Sequence, residues 1–149
     1  MENFKIHPYI GVGTLRFGMR RDEVAFVLGS SDFSNLDLET QIVTEYRRSN
    51  GLQTCFDQDT GKLVMVSFYS NIDGVSLNDV SLVWPNSKTF YEWMLETDCS
   101  AKTAFGISIF FKYGVSSAGL SGNEEGNKSI TVFQKGQWDS NDPALKNIL

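Results

Sequence analysis

From Ile42 to Tyr69 the apolar residues follow a period of two, and turn-forming residues interrupt them. Ile42, Thr44 and Tyr46 alternate with Val43, Glu45 and Arg47, and Leu52, Thr54 and Phe56 alternate with Gln53, Cys55 and Asp57. Leu63 to Tyr69 is almost uninterrupted β-former. The breaks are Ser49-Asn50-Gly51 and Asp57-Gln58-Asp59-Thr60-Gly61, both hairpin compositions. Parallel neighbours need a crossover of about a dozen residues or more, and these gaps are too short for one. The segment is therefore predicted as a three-stranded antiparallel meander.

A helix is predicted ahead of it. After an opening punctuated by Gly11 and Gly13, the residues Val24, Val27 and Leu28 recur at helical spacing. Asp22 and Glu23 fall in the first turn, where the helix N-terminus favours negative charge, and Gly29 offers a positive-φ stop. Ser30 to Thr40 carries Asp32, Asp37 and Glu39 with no basic residue and reads as a loop with some local helix.

The pattern then restarts. Val80 to Trp84 reads as an extended lead-in, and Pro85-Asn86-Ser87 opens a helix that buries Phe90, Trp93 and Met94 and ends near Asp98. Thr89 and Glu92 are spaced for a capping box. Phe105 to Lys112 and Ser129 to Gln134 are predicted strands, with Gly114 to Lys128 as a glycine-rich connection. A last helical turn is expected over Ala144 to Leu149. Leu15-Arg16-Phe17 ahead of the first helix aligns with Leu82-Val83-Trp84 ahead of the second, and at the same spacing Leu28 falls on Leu95. The expectation is an α+β fold, two helix-plus-antiparallel-meander repeats (about 9–70 and 76–136) forming one domain over residues 1–149.

Charge and composition narrow the chemistry. Thirteen Lys and Arg against eighteen Asp and Glu give a net charge of −5, and neither half, divided at residue 70, is basic. A nucleic-acid binder needs a basic face to neutralise phosphate, so that class is disfavoured. Cys55 and Cys99 make no disulfide framework and are expected to be buried, reduced thiols. The first eight residues contain no apolar h-region, and no apolar run reaches the roughly 20 residues that span a bilayer. A cytoplasmic protein without a membrane partner is expected.

No reactive constellation emerges. The single histidine, His7, lies in the N-terminal lead-in with no nucleophile nearby in sequence. His and Cys are too few for a zinc site, and Arg16 stands where a Gly-x-Gly-x-x-Gly loop needs its third glycine. Asp57-x-Asp59-x-Gly61 resembles the start of a calcium loop, but Phe68 occupies the twelfth position where an EF-hand has Glu. A hairpin turn is its expected use. Carboxylate catalysis remains as a third reading, since the fold sets which acids pair. The expectation is no enzyme, no cofactor and no metal.

Leu15-Arg16-Phe17-Gly18-Met19-Arg20-Arg21-Asp22-Glu23-Val24, with Leu28-Gly29 behind it, resembles the first-helix opening of BamE/SmpA-type small α+β domains. That architecture, a helix followed by an antiparallel three-stranded meander, occurs in tandem in the β-lactamase inhibitor protein. The same Gly-Met opening is similar to one in small cytosolic immunity proteins of bacterial toxin loci, as is the ending Ile130 to Gly136. In physical terms Gly18 permits the tight turn, Met19 packs beneath, and the acidic pair suits the helix start. The BamE-type lipoproteins carry a signal peptide, a lipid-attachment Cys and Gly-x-Pro after the helix. Here Gly29-Ser30-Ser31 follows it, and neither of the other features is present.

The resemblance implies an immunity protein that binds a cognate toxin, a basic nuclease or another effector domain. The alternative is a BamE-like scaffold. Aromatic anchors ringed by acids suit a basic partner. The residues expected to make the contact are Asp73, Asp79, Trp84, Glu124, Glu125, Trp138, Asp139 and Asp142.

Overall fold

A computed structural model describes residues 3–122 and 127–148. The chain opens with β1 (Phe4–His7), β2 (Gly11–Val12) and β3 (Leu15–Arg16), followed by α1 (Arg21–Leu28). Four strands come next: β4 (Phe33–Asp37), β5 (Ile42–Tyr46), β6 (Gln53–Asp57) and β7 (Leu63–Tyr69). The hairpin β8 (Val75–Leu77) and β9 (Val80–Ser81) leads through a 3-10 turn, Trp84–Asn86, into α2 (Ser87–Thr97). The chain ends with β10 (Lys102–Ala104), β11 (Ile107–Phe110), β12 (Val115–Ala118), β13 (Ser129–Phe133) and β14 (Lys146–Asn147). The protein is thus mixed α and β, mostly strand.

The strands form two sheets. A five-stranded sheet has the order β3-β2-β1-β8-β9, and its one parallel pairing joins β1 to β8. A nine-stranded sheet runs β14-β10-β11-β12-β13-β7-β6-β5-β4, antiparallel throughout. Its middle is the β7–β13 pairing, where Val66 faces Val132 and Phe68 faces Ile130.

Strand pleat sends alternate residues to opposite faces of this sheet. On the inner face, Thr54, Val66, Val132, Val115 and Phe110 form a row across five strands. That face shares one apolar core with Phe4, Ile6, Val75 and Leu77 of the small sheet and with Val24, Phe90 and Met94 of the helices. Phe4 meets Phe68 edge-on, with ring centroids 5.3 Å apart. On the outer face a smaller cluster forms around Ile109, Phe133 and Leu145, and Trp138 packs against it. The segment after β13 therefore folds back over the outer face of the second half.

Buried polar groups fix α1 to the sheet. The Arg47 guanidinium, its residue 3% exposed, donates to the Gly29 carbonyl (2.9 Å), to Thr54 Oγ1 (2.8 Å) and to Glu45 Oε1 (3.2 Å). The other oxygen of Glu45 accepts from Arg21 Nε at 2.9 Å. Both ends of the helix are thereby tied to β5. At α2 the buried Asp98 carboxylate accepts the Lys112 backbone N–H, and Lys112 Nζ donates to the Thr97 carbonyl.

Several sequence expectations change. Ser30–Thr40 holds strand β4, since the open edge of β5 supplies a ladder that composition does not announce. Gly114–Lys128 contains β12, and the expected last helical turn is replaced by β14. Val27 is exposed because the eight-residue α1 turns only Val24 fully inward. The α2 capping box is absent: Asn86 precedes the helix and its side chain accepts from Thr89 Oγ1 instead of capping the backbone.

Replacing Arg47 by Met should lower unfolding free energy by about 3 kcal/mol in urea titration, because Glu45 and the Gly29 carbonyl lose their buried donor. Arg20→Ala, at the exposed pair with Asp22, should cost about 0.5 kcal/mol or less in the same assay.

Candidate interaction surface

The uncovered part of the large sheet is the outer face of β4 to β7. Its floor includes a register row in which Thr44 faces Cys55 and Cys55 faces Met65. Beside it Asn35 pairs with Thr44 and Asp37 with Ile42. The face is concave, a cleft of about 730 Å³, and Gln137 and Trp138 of the returning C-terminal segment form one wall. Phe33 stacks on Tyr46 along the same face, with centroids 4.5 Å apart and planes 13° from parallel.

The charged residues lining this cleft are Asp37, Asp57 and Asp59; among the described residues no Lys or Arg lines it. Asp37 and Asp57 sit at strand ends and Asp59 in a turn, for local reasons. Asp37 Oδ1 accepts the backbone N–H groups of Glu39 and Thr40, turning the chain from β4 into β5. Asp57 Oδ1 accepts the Asp59 N–H in the β6–β7 turn, where Gly61 takes a φ of 70°. The Asp57–Gly61 segment is the expected hairpin turn. Turn chemistry thus places negative charge around an open floor of mixed polarity.

Burial pushes the Cys55 thiol up, partly opposed by its contact with Thr44 Oγ1 at 3.6 Å. Cys99 is exposed, which corrects the expectation of two buried thiols: it follows α2 in a turn and faces solvent. His7 lies within strand β1, on the rim of a different cleft of about 520 Å³ that also involves Lys5 and Val27. Burial, then the charges of Arg16 and Lys5, hold its imidazolium below the ordinary range. Among the described residues, no group of three His, Cys, Asp or Glu is placed to hold a metal ion. Nor is any helix among them long and apolar enough to cross a membrane.

The expected contact residues scatter. Trp138 is half-buried and separates the acidic cleft from a second one, of about 430 Å³, which Asp139 also lines. Asp142 is exposed, and its carboxylate accepts the Ala144 N–H. Asp73 and Asp79 are exposed at the small sheet and line neither cleft; Asp79 follows Asn78 in the β8–β9 turn, both at positive φ. Trp84 must be corrected. It is 5% exposed, and its indole N–H donates to the Ile72 carbonyl at 2.6 Å, so it is a core residue and presents no surface anchor. Glu124 and Glu125 lie outside the described residues.

Asp37, Asp57, Asp59, Tyr46 and Phe33 are candidate residues that sequence reasoning missed. The alternation along β5 separates Ile42, Thr44 and Tyr46 from Val43, Glu45 and Arg47 without saying which set faces outward, and only the structure shows that Glu45 and Arg47 are the buried ones; β4 carries no such signal. Compared with protein families, curated proteins and solved structures, the chain matches none.

In native protein a thiol reagent should label Cys99 rapidly at pH 7.5 and Cys55 only on unfolding, as followed by mass spectrometry. His7 should titrate by NMR below the ordinary midpoint of about 6.5. Because its folded value is depressed, its contribution to stability should fall as pH drops through the unfolded value.

Proposed function

We propose that this chain is a binding protein that neutralises a basic partner, a cognate bacterial toxin domain, by covering part of that partner's surface. The observation that carries the reading is the concave outer face of β4 to β7, charged by Asp37, Asp57 and Asp59 and walled by Trp138. Aromatic side chains beside carboxylates form a good anchor for a basic surface, and a single-sign cleft speeds encounter with an opposite charge. The motif around Gly18-Met19, similar to that of immunity proteins, supports the same reading. On this view the protein acts in the cytoplasm, without cofactor and without turnover of its own.

The two-repeat origin belongs to the same proposal. In each half a helix is followed by four consecutive antiparallel strands, and the two runs meet at their last strands, β7 and β13. Duplication of a BamE-like unit whose three-stranded meander had gained a strand would leave such an arrangement. That likeness also favours the second reading, a scaffold that holds an assembly through its sheets.

Association of the purified protein with the product of the neighbouring gene separates the two. The toxin reading expects association to slow as ionic strength rises, and Asp37→Asn/Asp57→Asn/Asp59→Asn to weaken binding about tenfold or more. Asp73→Asn/Asp79→Asn should change it little. Salt-independent binding that survives the triple substitution would favour the scaffold, and turnover of ester, glycoside or phosphate substrates would overturn both.

A further inference from the structure

β4 ends the nine-stranded sheet, and all five of its residues, Phe33 to Asp37, are exposed. Its inner side pairs with β5 over the whole length. Its other side offers a row of backbone N–H and C=O groups to solvent. Natural edge strands are usually blunted by proline, lysine, a bulge or extreme shortness. β4 has neither residue type and an unbroken register, whereas the opposite edge, β14, has two residues and includes Lys146.

We infer that β4 is a docking edge that accepts an extended segment of the partner as a tenth strand, and that this segment carries basic residues at alternate positions. The inference rests on the acidic-face reading and specifies how that face is engaged. An added strand continues the pleat, so its alternate side chains share the outer face with Phe33, Asn35 and Asp37. A lysine or arginine opposite Asp37 lies next to the cleft that also holds Asp57 and Asp59. Four residues along, a second cation comes opposite Phe33, whose ring is stacked on Tyr46 and favours a cation over its face. Five residues of strand span about 17 Å, so five to seven residues of partner suffice.

Charge also argues against a second copy of this chain as the occupant. Residues 30–40 contain Asp32, Asp37 and Glu39 and no Lys or Arg. Two such edges would meet with like net charge and no cation on either to offset it, which disfavours their association.

The probe is a capped seven-residue peptide alternating lysine and valine, with glutamate replacing lysine as the control. Titrated into the native protein at low salt, the lysine peptide should shift amide resonances concentrated at Phe33 to Asp37. It should slow hydrogen exchange at alternate β4 amides about tenfold or more, and the glutamate peptide should do neither. N–H groups of an edge strand point alternately to partner and solvent, so one of Ser34→Pro and Asn35→Pro removes only a free donor. That variant should keep the spectrum of the other sheet strands and lose at least about fivefold in peptide affinity. Resonance shifts at the carboxylates without protection of β4 amides would overturn strand addition, as would no response. Dimerisation through β4 in sedimentation would assign the edge to a second copy and overturn it too. If the neighbouring-gene product binds while β4 stays unprotected, strand addition falls and the acidic-face reading stands. If β4 takes the peptide but that product does not bind, the toxin reading falls instead.

Discussion

The pairing of β7 with β13 joins strands from the two halves of the chain, with Met65 opposite Phe133 and Tyr69 opposite Ser129. Without it the halves would be a four-stranded and a five-stranded sheet, each with an extra edge and a narrow inner face. With it, one continuous inner face reaches from Val43 to Phe110 and packs beneath both helices and the small sheet. Ser67 Oγ and Thr131 Oγ1, 2.8 Å apart, bond across the same junction. Because the ends of this contact are far apart in sequence, its closure entropy must be offset by the apolar rows it completes. Val66, Phe68, Ile130 and Val132, all fully buried, are those rows.

Placement of α1 relies on polar contacts more than on apolar ones. α1 buries only Val24 completely and leaves Phe26 and Val27 exposed, so packing alone orients it weakly. The Arg47 guanidinium compensates by taking the last-turn carbonyl side at Gly29 while bonding to Glu45 and Thr54 on the sheet. A buried pair of this kind adds little net stability over an apolar substitute, but loss of one partner is costly. Its effect is to define one docking angle for a short helix.

The proposed binding face arises from incomplete coverage. The C-terminal segment returns over Ile109 and Phe133 and stops with Trp138 at the boundary. Beyond that boundary the first meander keeps an open outer surface, with turn-forming aspartates around it and an unblocked edge strand at its end. The same carboxylates that close the turns supply the charge of the cleft. Fold and proposed function therefore share residues.

The change of apolar period from helical to alternating was readable directly, and with it α1, β5 to β7, most of α2, and β11 and β13. Asn50-Gly51 and Asp57–Gly61 marked their turns because side-chain oxygens and positive-φ glycines act locally. β4 was not legible, since a strand with every residue exposed buries no apolar row and takes its shape from the edge of β5. β12, with Ser116 and Ser117 inside a glycine-bounded stretch, becomes a strand through ladders on both sides. Trp84 and Trp138 looked alike as aromatics near turns and acids; only packing separated the buried one from the wall of a cleft. Local chemistry is written residue by residue, so the chain alone determines its turns and periods. Which face stays open depends on where distant segments come to rest, and tertiary structure decides that.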